Sequence, residues 1–389
     1  MPIDLPTPIT ALCIESSGRI LRAKWENGEE HCYHSIWLRD NGLDSTTRDK
    51  GNGQKRITLQ DIDSDIRIHC ADIEDAADSP GNKITIQFRN SQEKTWFHSD
   101  WLRAHYYDQP KSPGLFEDHI ETWETLDTDS VTDDYQSVVN SEARLLNWLD
   151  TVNRYGFAML SGLPPQSGAI LKVVDLFGYI RETNYGKYFE VRSEPNPVNL
   201  AFTSDGLQLH TDNPYRDPVP TLQLLACLEN ESDGGDSVIC DGFHAAKTLK
   251  NQHPQDFELL SKYSARFNYR GSTSVHLSAK RPMLECNSQG QLTTLRFNNR
   301  SCDALMDIPF DEMEAYYAAY RRLSNLIDSP QGNIQFRLKA NQLFIVDNTR
   351  VLHGRTGFES AGKRWLQGAY ADKDSLQSKL STLKQQIHS

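Results

Sequence analysis

The sequence predicts a mainly β protein with inserted helices: a double-sheet jelly roll over residues 136–389, a small α+β domain over residues 1–107, and a linker over residues 108–135. Three observations carry this reading. Short β-rich runs bounded by turn residues dominate from residue 157 to about residue 372. Only two longer helical patterns interrupt them, which suits a double-sheet jelly roll with inserted helices. A strand-to-helix motif occurs twice within the first hundred or so residues, as YHSIWLR and FHSDWLR.

Taken in order, residues 18–38 read as a hairpin, GRILRAKW then EEHCYHSIWLR, turning at Asn27-Gly28. Residues 83–103 repeat the theme with KITIQFRN and KTWFHSDWLR, and the polar DSTTRDKGNGQKR between the two units reads as a loop. Two copies are too few for a solenoid. Residues 108–135 are acidic and proline-marked, hence a linker wrapping the next domain. The amphipathic ARLLNWLDTVNRYG follows, with Gly156 as its C-terminal stop. Strands are expected in GFAMLSGL, VNLAFTS, LQLHTD, TLQLLACLE, DSVICDG, SARFNYRG, LTTLRFNN, IQFRLKANQLFIVDN and RWLQGAYAD. Helices are expected around 243–262, over 310–327 and in the closing SLQSKLSTLKQQIH.

The 389 residues carry a formal net charge of -12, which argues against nucleic acid or an anionic membrane as the main partner. A small anionic ligand in a local basic pocket is compatible with that balance. No basic segment leads into an apolar run at the N-terminus, and no stretch approaches the roughly 18 apolar residues of a membrane span. The seven cysteines are scattered without a CxxC, which suits reduced thiols and a cytoplasmic setting.

His-x-Asp/Glu occurs three times among twelve histidines, at His98-Asp100, His119-Glu121 and His210-Asp212. For any one of them a surface or capping pair is the ordinary explanation. His119 falls in the linker, and the other copy of the His98 motif has Ile36 where Asp100 stands, so both read as structural. LQLHTDNPYRDPVP is different: alternate residues of a strand share a face, so His210 and Asp212 can point together into a sheet interior. NTRVLHGRTGF supplies a third ligand, His353.

Two histidines and one carboxylate on one face of a metal suit Fe(II) in oxygenases that use 2-oxoglutarate and O2. Such chemistry needs a cation for the far carboxylate of 2-oxoglutarate, and Arg364 follows His353 by eleven residues. A guanidinium pairs bidentately with a carboxylate and keeps its charge when buried. Ser237 in GGDSVICDG offers a second hydrogen bond. A surface arginine and a turn serine are the plain alternatives, and zinc hydrolysis with the same ligands leaves Arg364 unexplained.

HTD, GGDS, DGF, NTRVLHGR and RWLQGAYAD, together with WLRDN near the N-terminus, resemble the γ-butyrobetaine and trimethyllysine hydroxylase branch of the taurine-dioxygenase-like oxygenases. The resemblance runs through nearly the whole chain. It implies a double-stranded β-helix, Fe(II), 2-oxoglutarate and O2 with ascorbate in support, and a homodimer. It carries His210, Asp212 and His353 over as iron ligands and Arg364 as the 2-oxoglutarate clamp. Substrates of that branch bear a trimethylammonium head, which donates no hydrogen bonds and is recognised by aromatic faces. The cage positions fall on Tyr185, Phe189, Phe202 and Tyr370, each of which core packing alone could also explain.

Two departures from the family pattern shape the expectations. Members with a zinc site in the small domain have cysteines directly after WLRDN, where this chain has Gly42, Asp44 and Thr47, so no structural zinc is expected. At the anionic end, Asn213 and Tyr215 follow HTD, and Arg300 stands beside Asn298 and Asn299, with Asn199 among the expected contacts. Arg300 exceeds what a carboxylate requires and suits a near-dianionic head. That pattern resembles members acting on 2-(trimethylammonio)ethylphosphonate, hydroxylated at the carbon next to phosphorus to give the 1-hydroxy product, succinate and CO2. The alternatives are γ-butyrobetaine hydroxylation to L-carnitine, an ordinary salt bridge for Arg300, and a non-catalytic betaine-binding module.

Overall fold

The computed structural model describes residues 7–75, 81–89, 94–109, 113–191, 206–272, 274–358 and 363–388. Asn199 and Phe202 lie outside these. The chain divides into two compact units, Met1–Ser112 and Pro113–Ser389.

The first unit is built twice over the same plan. Strands β1 (Ile9–Glu15), β2 (Ile20–Trp25) and β3 (Glu30–His34) form an antiparallel meander leading into helix α1 (Ser35–Asp40). Strands β4 (Ile68–Asp75), β5 (Asn82–Phe88) and β6 (Lys94–His98) repeat it, leading into α2 (Ser99–Ala104). The duplicated sequence motif is this strand-to-helix corner. His34 and His98 are the N-cap residues, Ser35 and Ser99 are buried behind them, and Leu38 and Leu102 enter the core. Trp37 and Trp101 of the two copies meet with ring centroids 5.7 Å apart. Gly28 takes the left-handed conformation at the first hairpin turn, φ 90°.

Positions 42, 44 and 47 converge in this unit. The Asp44 carboxylate accepts from the hydroxyls of Thr46 (2.6 Å), Thr47 (2.8 Å) and Thr95 (2.6 Å) and from the amides of Thr46 and Thr47. A Cβ on Gly42 would fall 1.9 Å from the Thr95 hydroxyl and 2.6 Å from Asp44 Oδ2. All seven cysteines are free thiols.

The second unit opens with residues 113–131, in which Trp123 and Val131 are buried in its core. Then come β7 (Thr132–Asp134), α3 (Tyr135–Asn140), α4 (Glu142–Tyr155), β8 (Phe157–Ser161), α5 (Ala169–Val174), β9 (Phe189–Val191), β10 (Leu207–His210), β11 (Leu222–Asn230) and β12 (Ser237–Asp241). Helices α6 (Gly242–Gln252) and α7 (Pro254–Lys262) precede two hairpins, β13 (Ser264–Ser272) with β14 (Val275–Pro282) and β15 (Leu284–Cys286) with β16 (Leu292–Leu295). The chain ends with α8 (Met313–Ile327), β17 (Asn333–Phe336), β18 (Gln342–Asp347), β19 (Val351–Arg355), β20 (Arg364–Ala371) and α9 (Lys373–His388). The sheet-rich character with inserted helices is as the sequence predicts. The helical pattern at 243–262 is two helices, because Pro254 has no N–H to continue α6 and the residue before it, His253, is non-helical.

Two sheets organise this unit. One has the order β7-β8-β18-β11-β20-β9 and the other β10-β19-β12-β17. Phe157, Met159, Cys227, Phe344, Val346 and Leu366 of the first pack with Ile239 and Val351 of the second in one core. Strand alternation then decides what lies inside. On β11, Leu222, Leu224 and Ala226 turn outward to the core shared with α4, α5 and α9, so Gln223 and Leu225 turn inward. On β20, Ala369 and Ala371 face out and Tyr370 faces in. On β19, Leu352 joins the core beneath α6 and α8, leaving His353 and Arg355 inside.

Candidate metal centre and substrate cavity

The antiparallel register of β10 and β19 sets His210 opposite His353, with ring centroids 4.6 Å apart. Asp212, two residues past His210, brings Oδ1 to 3.4 Å from His210 Nε2 and Oδ2 to 3.8 Å from His353 Nε2. Ligand atoms of all three lie within 4.8 Å of one another, and no other such group of His, Cys, Asp or Glu occurs among the described residues. Of the two other His-x-acid matches, His98 stands at the N-cap position of α2 without a side-chain capping bond, and Glu121 pairs with Arg154.

The surroundings orient His210 and Asp212, whereas His353 Nδ1 is buried without a hydrogen-bond partner among the described residues. His210 Nδ1 lies 2.7 Å from the Gln208 carbonyl, which can only accept, so that nitrogen carries a proton and, in the neutral ring, Nε2 has the lone pair. Asn348 clamps Asp212 at both ends: its Oδ1 accepts from the Asp212 amide at 2.7 Å, and its Nδ2 donates to the Asp212 carbonyl at 2.9 Å. Burial pushes the His353 imidazole down to about 3, helped by His210 and Arg300 and opposed by Asp212, so it is neutral at physiological pH. Burial favours the neutral acid at Asp212, but the adjacent His210 and His353 rings and the Tyr370 hydroxyl outweigh it and hold the carboxyl below its usual range. Neutral imidazoles and a carboxylate bind a divalent transition metal without losing a proton.

One cavity reaches the three ligands, and the sequence-predicted residues Tyr185, Phe189, Asn213, Tyr215, Ser237, Arg300, Arg364 and Tyr370 line it. At one end Arg364 is mostly buried, which lowers its basicity, and no carboxylate among the described residues pairs with it. Its Nε has no partner there, and its guanidinium sits 5.1 Å from the Phe358 ring. Ser237 and Arg355, register partners on β12 and β19, line the same end. A buried guanidinium without a carboxylate partner among the described residues, its Nη2 3.5 Å from the Gly235 carbonyl, and a hydroxyl on the same cavity wall fit a carboxylate ligand.

The opposite wall is aromatic. Tyr185 and Phe189 approach to 5.9 Å between centroids, and Phe189 and Tyr370 to 5.3 Å. Behind them Tyr215 stacks on Tyr269 at 4.8 Å, and Tyr185 and Tyr215 share a hydroxyl contact of 3.3 Å. Near the metal ligands Asn213 is held in the left-handed region, φ 53°, in a loop pinned by Arg296, which donates to the carbonyls of Pro214 and Arg216. The Tyr215 hydroxyl donates to Asn213 Oδ1 at 2.8 Å. Asn213 itself is only 3% exposed, and its Nδ2 has no partner among the described residues. Arg300 is exposed at the rim.

Asn298 and Asn299 are not among the residues lining the cavity. Asn298 Nδ2 donates to the Thr211 carbonyl, and the Asn299 amide is committed to Gln208 and to the Tyr320 hydroxyl. Their place is in supporting the HTD turn from outside. The sequence reading missed Gln223, Tyr269, Arg355 and Asn348. Strand alternation from Leu222 and from His353 signals Gln223 and Arg355, and Asn348 stands in the quoted NTRVLHGR. Nothing local distinguishes Tyr269 from a core aromatic.

The model of the "Taurine catabolism dioxygenase TauD, TfdA family" matches residues 121–370. The γ-butyrobetaine dioxygenase of Pseudomonas sp. (strain AK-1) is 30% identical, over 98% of this chain and 97% of its own. The γ-butyrobetaine dioxygenase of Homo sapiens is 28% identical over 95% of each chain, and a trimethyllysine dioxygenase of Meyerozyma guilliermondii is 28% identical over 94% of each.

Proposed function

The chain belongs to the taurine catabolism dioxygenase TauD, TfdA family, and from that membership we propose that it is an Fe(II)- and 2-oxoglutarate-dependent hydroxylase of a small trimethylammonium acid of the γ-butyrobetaine type. The observation that carries this reading is the single cavity in which the His210, Asp212 and His353 ligands, the Arg364 guanidinium and the aromatic wall meet. The two-sheet unit is read as a double-stranded β-helix, with a homodimer as its assembly.

His210, Asp212 and His353 hold the metal, and Arg364 with Ser237 holds the far carboxylate of 2-oxoglutarate. Fe(II) held there would supply the activation of O2 that couples oxidation of 2-oxoglutarate to succinate and CO2, which takes one oxygen atom, with insertion of the other into a substrate C–H bond. Tyr185, Phe189 and Tyr370 offer ring faces to the trimethylammonium cation, a contact worth about 2 kcal/mol when desolvated. The Asn213 amide donates to the substrate's anion, so that both ends of the substrate are fixed and one C–H bond faces the metal.

The names of the relatives favour a carboxylate at the anionic end, hence γ-butyrobetaine. A second reading, 2-(trimethylammonio)ethylphosphonate hydroxylated next to phosphorus, is favoured by Arg300, which has no carboxylate partner among the described residues and stands at the cavity rim. Succinate release with Fe(II), 2-oxoglutarate, ascorbate and O2 tests both. γ-Butyrobetaine turnover at a higher kcat/KM supports the first reading. Preference for the phosphonate, lost in Arg300→Ala, supports the second. Absence of succinate above the substrate-free level with any trimethylammonium acid would overturn the hydroxylase reading.

A further inference from the structure

We infer that Gln223 and Tyr370 are positioning residues that hold Asp212 to single-oxygen ligation of the metal, an inference that rests on the iron reading above. The two residues are direct register partners on neighbouring strands β11 and β20, and both face inward. Each reaches from the six-stranded sheet to the same atom. Gln223 Nε2 donates to Asp212 Oδ2 at 2.6 Å, and the Tyr370 hydroxyl donates to it at 2.8 Å.

An ionised carboxylate oxygen accepts about two hydrogen bonds, and Oδ2 already has two. Oδ1, whose near neighbour is His210 Nε2 at 3.4 Å, keeps its lone pairs for a metal. The distinction matters because a facial triad works by leaving positions open. If Asp212 also lent Oδ2, it would take one of the positions that co-substrate and O2 require. The side chain of Gln223 makes no second hydrogen bond that would account for it, since its Oε1 is buried without a partner among the described residues. A buried amide half-satisfied in this way is costly in a sheet interior, and a leucine there would pack without that cost. Tyr370 acts at both of its ends, since its ring stands 5.3 Å from Phe189 in the aromatic wall while its hydroxyl fixes the metal carboxylate.

The test uses Co(II) as the probe, titrated anaerobically into full-length apo-protein and followed by visible absorption, with apo thermal melting as the folding control. Gln223→Leu and Tyr370→Phe are each expected to weaken Co(II) binding about tenfold, within the range for lost outer-shell hydrogen bonds to a metal ligand. Both should alter the band pattern as a second Asp212 oxygen joins the metal. Tyr370→Phe keeps the ring, so addition of γ-butyrobetaine or the phosphonate should still perturb its spectrum, whereas Tyr370→Leu should abolish that response. Gln223→Met replaces Gln223→Leu if the latter does not fold. Wild-type Co(II) affinity and spectrum in both variants would overturn the positioning role while leaving the iron reading intact. A wild-type protein that binds no Co(II) would instead overturn the iron reading, and the positioning role with it.

Discussion

At the scale of single residues, the cavity is held together by side chains that sequence spacing could find and by others that it could not. His210, Asp212 and His353 were legible because a two-residue spacing at a strand end puts both groups on one face. Arg364 was singled out because the proposed dicarboxylate co-substrate would need a fixed cation downstream, and it lines the cavity. It also gives a prediction. Its fork is buried beside Phe358 without a carboxylate partner among the described residues, so Arg364→Lys keeps a charge but loses the planar, bidentate donor set. Affinity for 2-oxoglutarate, measured by calorimetry with the metal-loaded protein, should fall by about 2 kcal/mol, in line with loss of a charge-assisted hydrogen bond. Arg364→Met should fall further, and an unchanged affinity in either would remove Arg364 from the co-substrate site. Asn299 marks the limit of spacing arguments: adjacency to Arg300 suggested a common ligand, yet successive residues diverge, and its amide joins Gln208 and Tyr320 outside the cavity.

At the scale of elements, the small unit shows why a sequence motif can be recognised before its purpose is. The repeated corner was legible because its spacing recurs, whereas the closing of residues 42–47 on Thr95 depends on a partner half a unit away in sequence. Burial favours the neutral acid at Asp44, but the hydroxyls of Thr46, Thr95 and Thr47 and the Thr47 amide outweigh it and hold the carboxyl below its usual range. Asp44→Ala should therefore destabilise the protein by about 2–3 kcal/mol, the scale for hydrogen bonds to a charged group. The sign of the pH dependence follows. A group with a depressed folded value contributes stability above the unfolded value of about 4, and that contribution disappears as pH falls through the folded one. In denaturant melts the gap between wild type and Asp44→Asn should be full at pH 7 and close below pH 4. A gap that is independent of pH would mean the carboxylate's charge has no part in it. Gly42→Ala should also destabilise, because the added carbon would meet the Thr95 hydroxyl at 1.9 Å.

At the scale of the whole second unit, one buried ion pair ties the segment before the first strand to the strand that carries His353. Arg350 and Asp241 are 1% and 0% exposed at their side chains. Arg350 donates to both carboxylate oxygens, Nε to Oδ1 at 3.0 Å and Nη2 to Oδ2 at 2.8 Å. Its remaining donors reach the Arg154 carbonyl at the end of α4 and the Glu121 carbonyl, while Asp241 accepts from the amides of Trp123 and Phe243. This explains how residues 113–131, polar and proline-marked in sequence, come to lie against a hydrophobic core: their backbone is bound by a charge pair contributed from more than a hundred residues away. No local pattern reveals such a partner, so composition could suggest a segment wrapping the domain but not what holds it there. Removing one member leaves the other charged and buried, a loss of about 3–5 kcal/mol for a broken buried pair. Arg350→Met should thus lower the denaturant midpoint strongly. The double variant Arg350→Met with Asp241→Asn should recover part of the loss, because the amide carries no charge and its oxygen can still accept from Trp123 or Phe243. Equal destabilisation in the single and double variants would show that packing around the arginine, rather than the stranded carboxylate, sets the stability of the unit.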